Sequence, residues 1–460
     1  MKLKKIVSLL AIAGFATPAF ATDGYFSHGY GMTAKGMGGA ATAMAKDSFG
    51  GANNPASMVW AGDRLDVGLD FFSPKRSVER AGSTTPGVSV NGSAESGSNL
   101  FMIPEFGYNK MLGWDMSAGV SVYGNGGMNT NYSGGQIGAA SLCSGFNPGG
   151  PAAAPFNMLC GTGNLGINLV QLVVAPTFAM KVNKSNSFGA SLLLGYQQFA
   201  ARGLDGFYGF TPAPFAPLAS NNHLTNLGYD SSSGYGLRLG WMGKVSDAVT
   251  LGAAYSTKMK MGKLDKYKDL FAGEGYFDLP ENMSLGVSFK ASPTITVAAD
   301  YQRINYSGIK SIANPSTYSS AWPGSAVPPT PPGTVGSLGC DNCRGFGWSS
   351  VNVFKLGAEY QYSPNLILRA GYNHTDNPIQ ARDVTFNIIA PGVVQDHVTM
   401  GFTYDLSKGS ELTMAYMHAF KKSVQGASLF NTWTGPASAG TEKIQMYQNS
   451  LGIAYGLKFQ

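Results

Sequence analysis

Four cysteines, five histidines, a dense run of glycines and a small set of basic residues are the side chains through which this sequence could do chemistry. Cys143 and Cys160 share one loop-like stretch and Cys340 and Cys343 another, which predicts two local disulfides in an oxidising compartment. Cys-x-x-Cys is also the signature of a redox or zinc site, but no second cysteine pair stands at metal-ligand spacing. His28, His223, His374, His397 and His418 show no such spacing, so neither metal nor cofactor is expected. His418 alternates onto the face of Leu412, Met414 and Tyr416 with no identifiable serine and orienting partner, so interfacial packing is the expectation and an enzyme is not. The run Gly29 to Ala43 would suit a phosphate only between a strand and a helix, and neither flanks it as required. By strand parity Lys355, Arg369 and Arg238 point to one face, with Arg202 near a strand end, and such cations could hold a carboxylate. Ion pairs with Glu105, Asp300 or Glu359 on the same face are the commoner use of such residues.

What must position these residues is a set of strands. Charged residues are only 13% of the 460, aromatics reach 12% and glycine numbers 62, a mixture suited to alternating strands and not to an oily helical bundle. No stretch approaches the roughly 20 uninterrupted apolar residues of a spanning helix. Two-residue alternation predicts fourteen strands, near Arg64 to Lys75, Asn99 to Lys110, Trp114 to Gly124, Asn168 to Val182, Ser187 to Ala201, Ser233 to Val245 and Ala248 to Lys260 in the first half. The second half supplies Glu281 to Ala291, Thr294 to Asn305, Ser350 to Tyr362, Asn365 to Thr375, Val393 to Asp405, Ser410 to Phe420 and Tyr447 to Phe459. In the last, Leu451, Ile453, Tyr455, Leu457 and Phe459 share one face while Gly452, Ala454, Gly456 and Lys458 share the other.

Alternation alone leaves open which face is wet. Connection lengths decide it: short turns such as Ser246-Asp247 and Ser363-Pro364 alternate with long segments such as Asn125 to Ile167 and Tyr306 to Ser349. That is the pattern of an all-β, fourteen-stranded antiparallel transmembrane barrel, an even count with both termini at the short-turn rim. Trp114, Tyr123, Tyr362, Tyr404, Tyr416 and Tyr447 are candidates for its aromatic girdles. Residues 1–21 read as a secretory signal peptide, with Lys2, Lys4 and Lys5 before a short apolar run and Ala19-Phe20-Ala21 at the cleavage site. Removing those three lysines takes the formal charge from +6 to +3, too little to point to nucleic acid. Residues 22–62 fit no strand; their small residues, and Asn54 capping a short helix begun by Pro55, suit a compact helical hatch inside the lumen of a barrel formed by residues 63–460.

The Gly29 to Ala43 run, the Asn54-Pro55-Ala56 motif before the first strand and the stretch Asp376-Asn377-Pro378-Ile379 leading to Tyr404 resemble the FadL/TodX family of outer-membrane transporters of hydrophobic compounds. The resemblance covers essentially the whole mature chain. It implies a monomeric barrel with an N-terminal hatch, capture of ligand by external loops, an interior binding site, and lateral exit at an inward kink of the third strand. Here Gly119 and Gly124, with Gly126 and Gly127, would permit that kink. Phe207, Phe210 and Phe215 are candidate capture residues, although packing of the loops against each other explains them equally well. Arg202 and Lys355 lie closest to basic positions used by the fatty-acid transporters, with Arg202 offset by about one position. The implied function is uptake of long-chain fatty acids, or alternatively of aromatic hydrocarbons, across the outer membrane of a Gram-negative bacterium, with a general porin as a further rival. Membrane lipid and the barrel-assembly machinery are the implied partners; the terminal aromatic Phe459 resembles the assembly signal, although Gln460 follows it.

Overall fold

The computed structural model describes residues 23–84, 90–138, 143, 155–210, 223–316, 338–407, 409–433 and 438–459. The expected signal peptide and Phe215 lie outside them. Fourteen antiparallel strands form the wall: β1 (Arg64–Ala81), β2 (Phe101–Met111), β3 (Met116–Asn129), β4 (Gly166–Lys181), β5 (Asn186–Arg202), β6 (Asp230–Lys244) and β7 (Val249–Ser256), followed by β8 (Asn282–Lys290), β9 (Ile295–Ile304), β10 (Val351–Ser363), β11 (Leu366–Thr375), β12 (Asp396–Ser407), β13 (Ser410–Ala427) and β14 (Thr441–Lys458). Two short strands, Gly92–Glu95 and Lys260–Met261, extend the sheet within long loops. Each wall strand pairs with its neighbours in sequence, and β14 pairs with β1 from Arg64↔Lys458 to Ala81↔Thr441, so the sheet closes without a free edge.

Parity decides the two faces. Along β14, Leu451, Ile453 and Tyr455 are exposed while Gly452, Ala454 and Gly456 are inside, and Leu237 and Leu239 on β6 or Phe354 and Leu356 on β10 repeat the rule. The outer surface is therefore a belt of large apolar side chains, stable only against lipid. Trp114, Tyr362, Tyr404, Tyr416 and Tyr447 are exposed on it, but Tyr123 is only 2% exposed and faces inward. β1, β13 and β14 run farther than alternation of apolar residues suggests, because beyond the lipid belt the outward face becomes polar, as at Glu79, Lys443 and Gln445, while the ladder continues.

Candidate functional site: a filled lumen beneath an apolar mouth

Residues 23–62 lie inside the barrel and touch all fourteen strands. Lys35 reaches Asp70 on β1, the Gly31 N–H donates to Glu105 on β2, and Ser121 on β3 donates to the Ser48 carbonyl at 2.8 Å. Val59 packs on Ala179 of β4, Ser187 on β5 donates to the Ala56 carbonyl at 2.9 Å, and Asn54 donates to the Trp241 carbonyl on β6 at 2.9 Å. Thr42 lies over Gly252 of β7 and Gly286 of β8, and its N–H donates to Asp300 on β9 at 2.9 Å. Lys46 meets Glu359 on β10 at 2.6 Å, Gly38 lies on Gly371 of β11, and its N–H donates to Thr399 on β12 at 2.9 Å. Met32, in helix α1 (Met32–Gly36), packs on Ala415 of β13 and Ala454 of β14.

Glycines of the wall make this approach possible. A Cβ at Gly189, Gly240, Gly252, Gly357 or Gly371 would collide with the backbone of Pro55, Thr42, Met37 or Gly38, or with the Asn54 side chain. Gly38 itself has φ 66° and lies against the Tyr372 backbone, a position closed to any L side chain on both counts. Asn54, extended at φ −143°, caps the 3-10 turn Pro55–Ser57 by accepting from the Ala56 N–H at 3.1 Å, and helix α2 (Met58–Ala61) follows.

Most charges around the hatch are paired. Lys35 stands 2.7 Å from Asp70 and 3.6 Å from Glu105; burial alone would lower its pKa, and the two carboxylates more than reverse that. Arg64 bridges Asp66 and Glu411 at 2.5 and 2.6 Å, and Arg369 meets Glu359 at 3.0 Å. Burial, aided by Asp66, pushes the carboxyl of Asp47 up to about 7. Lys355 donates to the His28 carbonyl at 2.9 Å and lies 4.0 Å from Asp23, whose carboxyl burial lifts to about 6 against the pull of that ammonium. Burial also holds the His28 imidazole well below its usual range, with His397, Lys35 and Lys355 adding to the effect.

The wall changes character above the hatch. β2 and β3 pair from Met111↔Ser117 to Phe106↔Val122 and no farther, while β3 stays with β4 up to Asn129↔Asn168 across a register shift between Gly124 and Gly126. From Ser121 to Asn129 every β3 residue is buried, so both faces of this half-strand have left the lipid. Its new partner is the hatch: Phe26 bridges to Gly126, with the Ser27 N–H on the Asn125 carbonyl and the Gly127 N–H on the Tyr25 carbonyl, both at 3.3 Å. Tyr25 in turn meets the rings of Tyr306 and Trp348, with centroids 5.1 and 6.0 Å away. These belong to one apolar cluster to which every long loop contributes, among them Val90, Phe156, Phe207, Phe271, Ile309, Phe386 and Phe430.

The residues expected to act distribute unevenly. Asn54, Pro55 and Ala56 seat the hatch on β5 and β6. Gly124 stands at the register shift, but Gly119 remains in regular pairing with Asn109, where its missing side chain makes room for Met58. Lys355 faces inward and is held by the hatch. Arg202 does not: it shares parity with the exposed Leu192, Leu194 and Tyr196, so an inward role for it is corrected to an exposed position at the long-loop rim. Phe207 is 5% exposed against Phe386, ring centroids 5.3 Å apart, and so lies within the cap instead of presenting a capture surface to solvent. Phe210 ends the 3-10 turn Asp205–Phe210. Disulfides join Cys143 to Cys160 and Cys340 to Cys343. Sequence reasoning missed Lys35 as the hatch's main anchor, although the inward parity of Asp70 and Glu105 marked two acids in need of a cation.

Residues 161–460 match the family model described as "Outer membrane protein transport protein (OMPP1/FadL/TodX)". Among solved structures, the chain resembles the Pseudomonas putida toluene transporter TodX at 20% identity and TM-score 0.63, over 94% of this chain and 99% of that one. The Ralstonia pickettii toluene transporter TbuX is similar at 19% identity and TM-score 0.61, over 94% and 99%. A Pseudomonas aeruginosa FadL homologue is similar at 13% identity and TM-score 0.65, over 95% and 100%. No curated protein sequence matches significantly.

Proposed function

Because the chain belongs to the OMPP1/FadL/TodX family of outer-membrane transport proteins, we propose that the hydrophobic compounds it carries inward are long-chain fatty acids, and that residues 1–21 are the signal peptide that directs the chain to the outer membrane. The observation that carries the reading is the pairing of an apolar mouth with a polar, occupied lumen and a wall that parts at β2 and β3. A hydrocarbon gains about 0.8 kcal/mol per buried methylene. It gains this in the cap and in lipid and not among the ion pairs below. Its favourable route is therefore sideways, through the part of the wall where β3 leaves β2 and residues 25–27 stand in as partner. In this reading Gly124 allows the bend, the Asn54-Pro55-Ala56 seat holds the hatch, and withdrawal of residues 25–27 opens the passage.

Uptake of labelled oleate by a strain lacking its own fatty-acid transporter, with and without this chain, tests the proposal. Saturable uptake that depends on the chain is expected. A second reading, monoaromatic hydrocarbons, is favoured by the toluene transporters TodX and TbuX among the similar structures. Growth on toluene without oleate uptake would replace the first reading by the second.

A further inference from the structure

The inward face of β1 carries two guanidinium groups above the hatch, four residues apart, and their surroundings differ. Arg80 is 1% exposed and has a counter-ion: Nε and Nη2 donate to Glu442 at 2.8 and 2.5 Å, and Nη2 also donates to the Met158 carbonyl at 2.7 Å, while Nη1 is without a partner. Arg76 is 6% exposed, yet neither its Nε nor its Nη2 has a hydrogen-bond partner. Among the described residues no carboxylate stands within ion-pair distance of it; its cross-strand neighbour is Met446, and the ring of Phe101 lies 5.9 Å away. A buried cation without a counter-ion is costly, and every other inward cation of β1 has one.

The Arg76 side chain lines a cavity walled by Met128, Thr130, Trp348, Pro391 and Met446. The enclosed space there is only about 10 Å³, room for a group no larger than a water molecule, so a carboxylate and the carbons behind it enter only as the exchangeable apolar contacts of the surrounding loops yield. Its place in the fold is specific. β1 forms one side, the half-strand of β3 that has left β2 forms the second, and the loop between β11 and β12 forms the third, tied to β3 by the Thr130 hydroxyl on the Ile389 carbonyl at 2.7 Å and to the Tyr132 hydroxyl through the Ile388 carbonyl at 3.0 Å. The cavity thus lies between the apolar mouth and the parting of the wall.

We propose that Arg76 receives the carboxylate of a long-chain monocarboxylic acid on its way to that parting, and so selects acids over neutral hydrocarbons of the same length. The planar guanidinium fork matches a carboxylate in a bidentate pair, and the apolar walls match the first carbons of the tail. This rests on the fatty-acid reading above and adds to it the residue that reads the acid end.

The test uses the full-length protein in detergent, with oleate and oleyl alcohol as probes of equal length, and oleate uptake in cells as a separate measurement. The parent protein binds oleate at least tenfold more tightly than oleyl alcohol. Arg76→Gln removes that preference while binding of oleyl alcohol stays within twofold, and Arg76→Lys keeps part of it because the charge remains. Heat-modifiable gel mobility like the parent's shows that each variant has folded; should Arg76→Gln fail this, Met446→Glu, which supplies an internal counter-ion, carries the comparison with the same expected loss of preference, and Arg76→Lys with a partial one. Oleate uptake by the parent together with an unchanged preference in the variants overturns the role of Arg76 alone. No oleate uptake or binding by the parent overturns the fatty-acid reading and this inference with it.

Discussion

The lower and upper halves of the lumen are built on opposite chemistry. Below, the hatch is fixed by directional bonds: Lys35 to Asp70, Asp300 to the Ala41 and Thr42 N–H groups, Asn54 to the Thr42 and Trp241 carbonyls. Above, the long loops are fixed by area, through rings such as Phe199, Phe271, Phe277 and Tyr306. Directional bonds have one good arrangement, and a charge that loses its partner inside is heavily penalised. Apolar contacts can be exchanged for others of similar area, a guest's included. The same strands therefore carry a lock at one end and an adaptable basin at the other, and the bend of β3 lies at the change from one to the other.

Breaking the lock tests the contrast most severely. Lys35→Ala leaves Asp70 and Glu105 buried without their cation, and a loss of about 3–5 kcal/mol in hatch docking follows. It should be read as new conductance in planar bilayers with the barrel's heat-resistant mobility retained; an unchanged conductance would mean that the lock does not rest on this triad. Asp23 offers a gentler perturbation, by pH. Burial raises its carboxyl from the ordinary 3.8 to about 6 in place, against the pull of the Lys355 ammonium and the amide of Asn373 that face it. Between those values the docked state binds more protons, so docking of residues 23–27 weakens as pH rises from about 4 to 6 and levels off above, by at most about 3 kcal/mol. Hydrogen exchange in that segment at pH 4.5 and 7 measures it, and Asp23→Asn should abolish the difference.

How much of this was legible in the sequence follows the same division. Parity and loop lengths give the fourteen strands and the apolar outer face, because lipid imposes a two-residue rule on Leu451, Ile453 and Tyr455 without exception. The inner face is legible as small and polar, but nothing local tells that Gly371 is a seat for Gly38, since that contact joins residues more than 300 apart. Tyr123 and Gly124 continue a strand pattern in sequence and leave the wall in space, a tertiary choice set by Phe26 and Ser27. Arg76 escaped because the apolar alternation that marks β1 fades at Lys75, while the ladder runs on to Ala81. Arg202 lies at the same long-loop end of its own strand, where nothing local tells that it shares the outward parity of Leu192, Leu194 and Tyr196.

Two smaller substitutions sharpen the boundary between lock and basin. Gly371→Val pushes a side chain into the backbone of Met37 and Gly38 and should cost about 1–3 kcal/mol of hatch docking. Leu285→Val on the lipid face, 55% exposed, should leave docking unchanged, and equal effects at the two sites would erase the distinction between seat and outer wall. Tyr306→Phe is subtler still, because it removes one oxygen at the junction itself. That hydroxyl donates to the Asp23 carbonyl at 2.5 Å and accepts from the Tyr25 N–H at 3.1 Å, while the ring stays packed on Tyr25 and Trp348. With the ring kept, only the polar tie between the first hatch residues and the mouth is lost, about 1 kcal/mol. Exchange of the Tyr25 and Gly127 amides should quicken about fivefold while amides around Asn54 keep the parent rate. Equal acceleration at both places would mean that the lock and the basin open as a single unit.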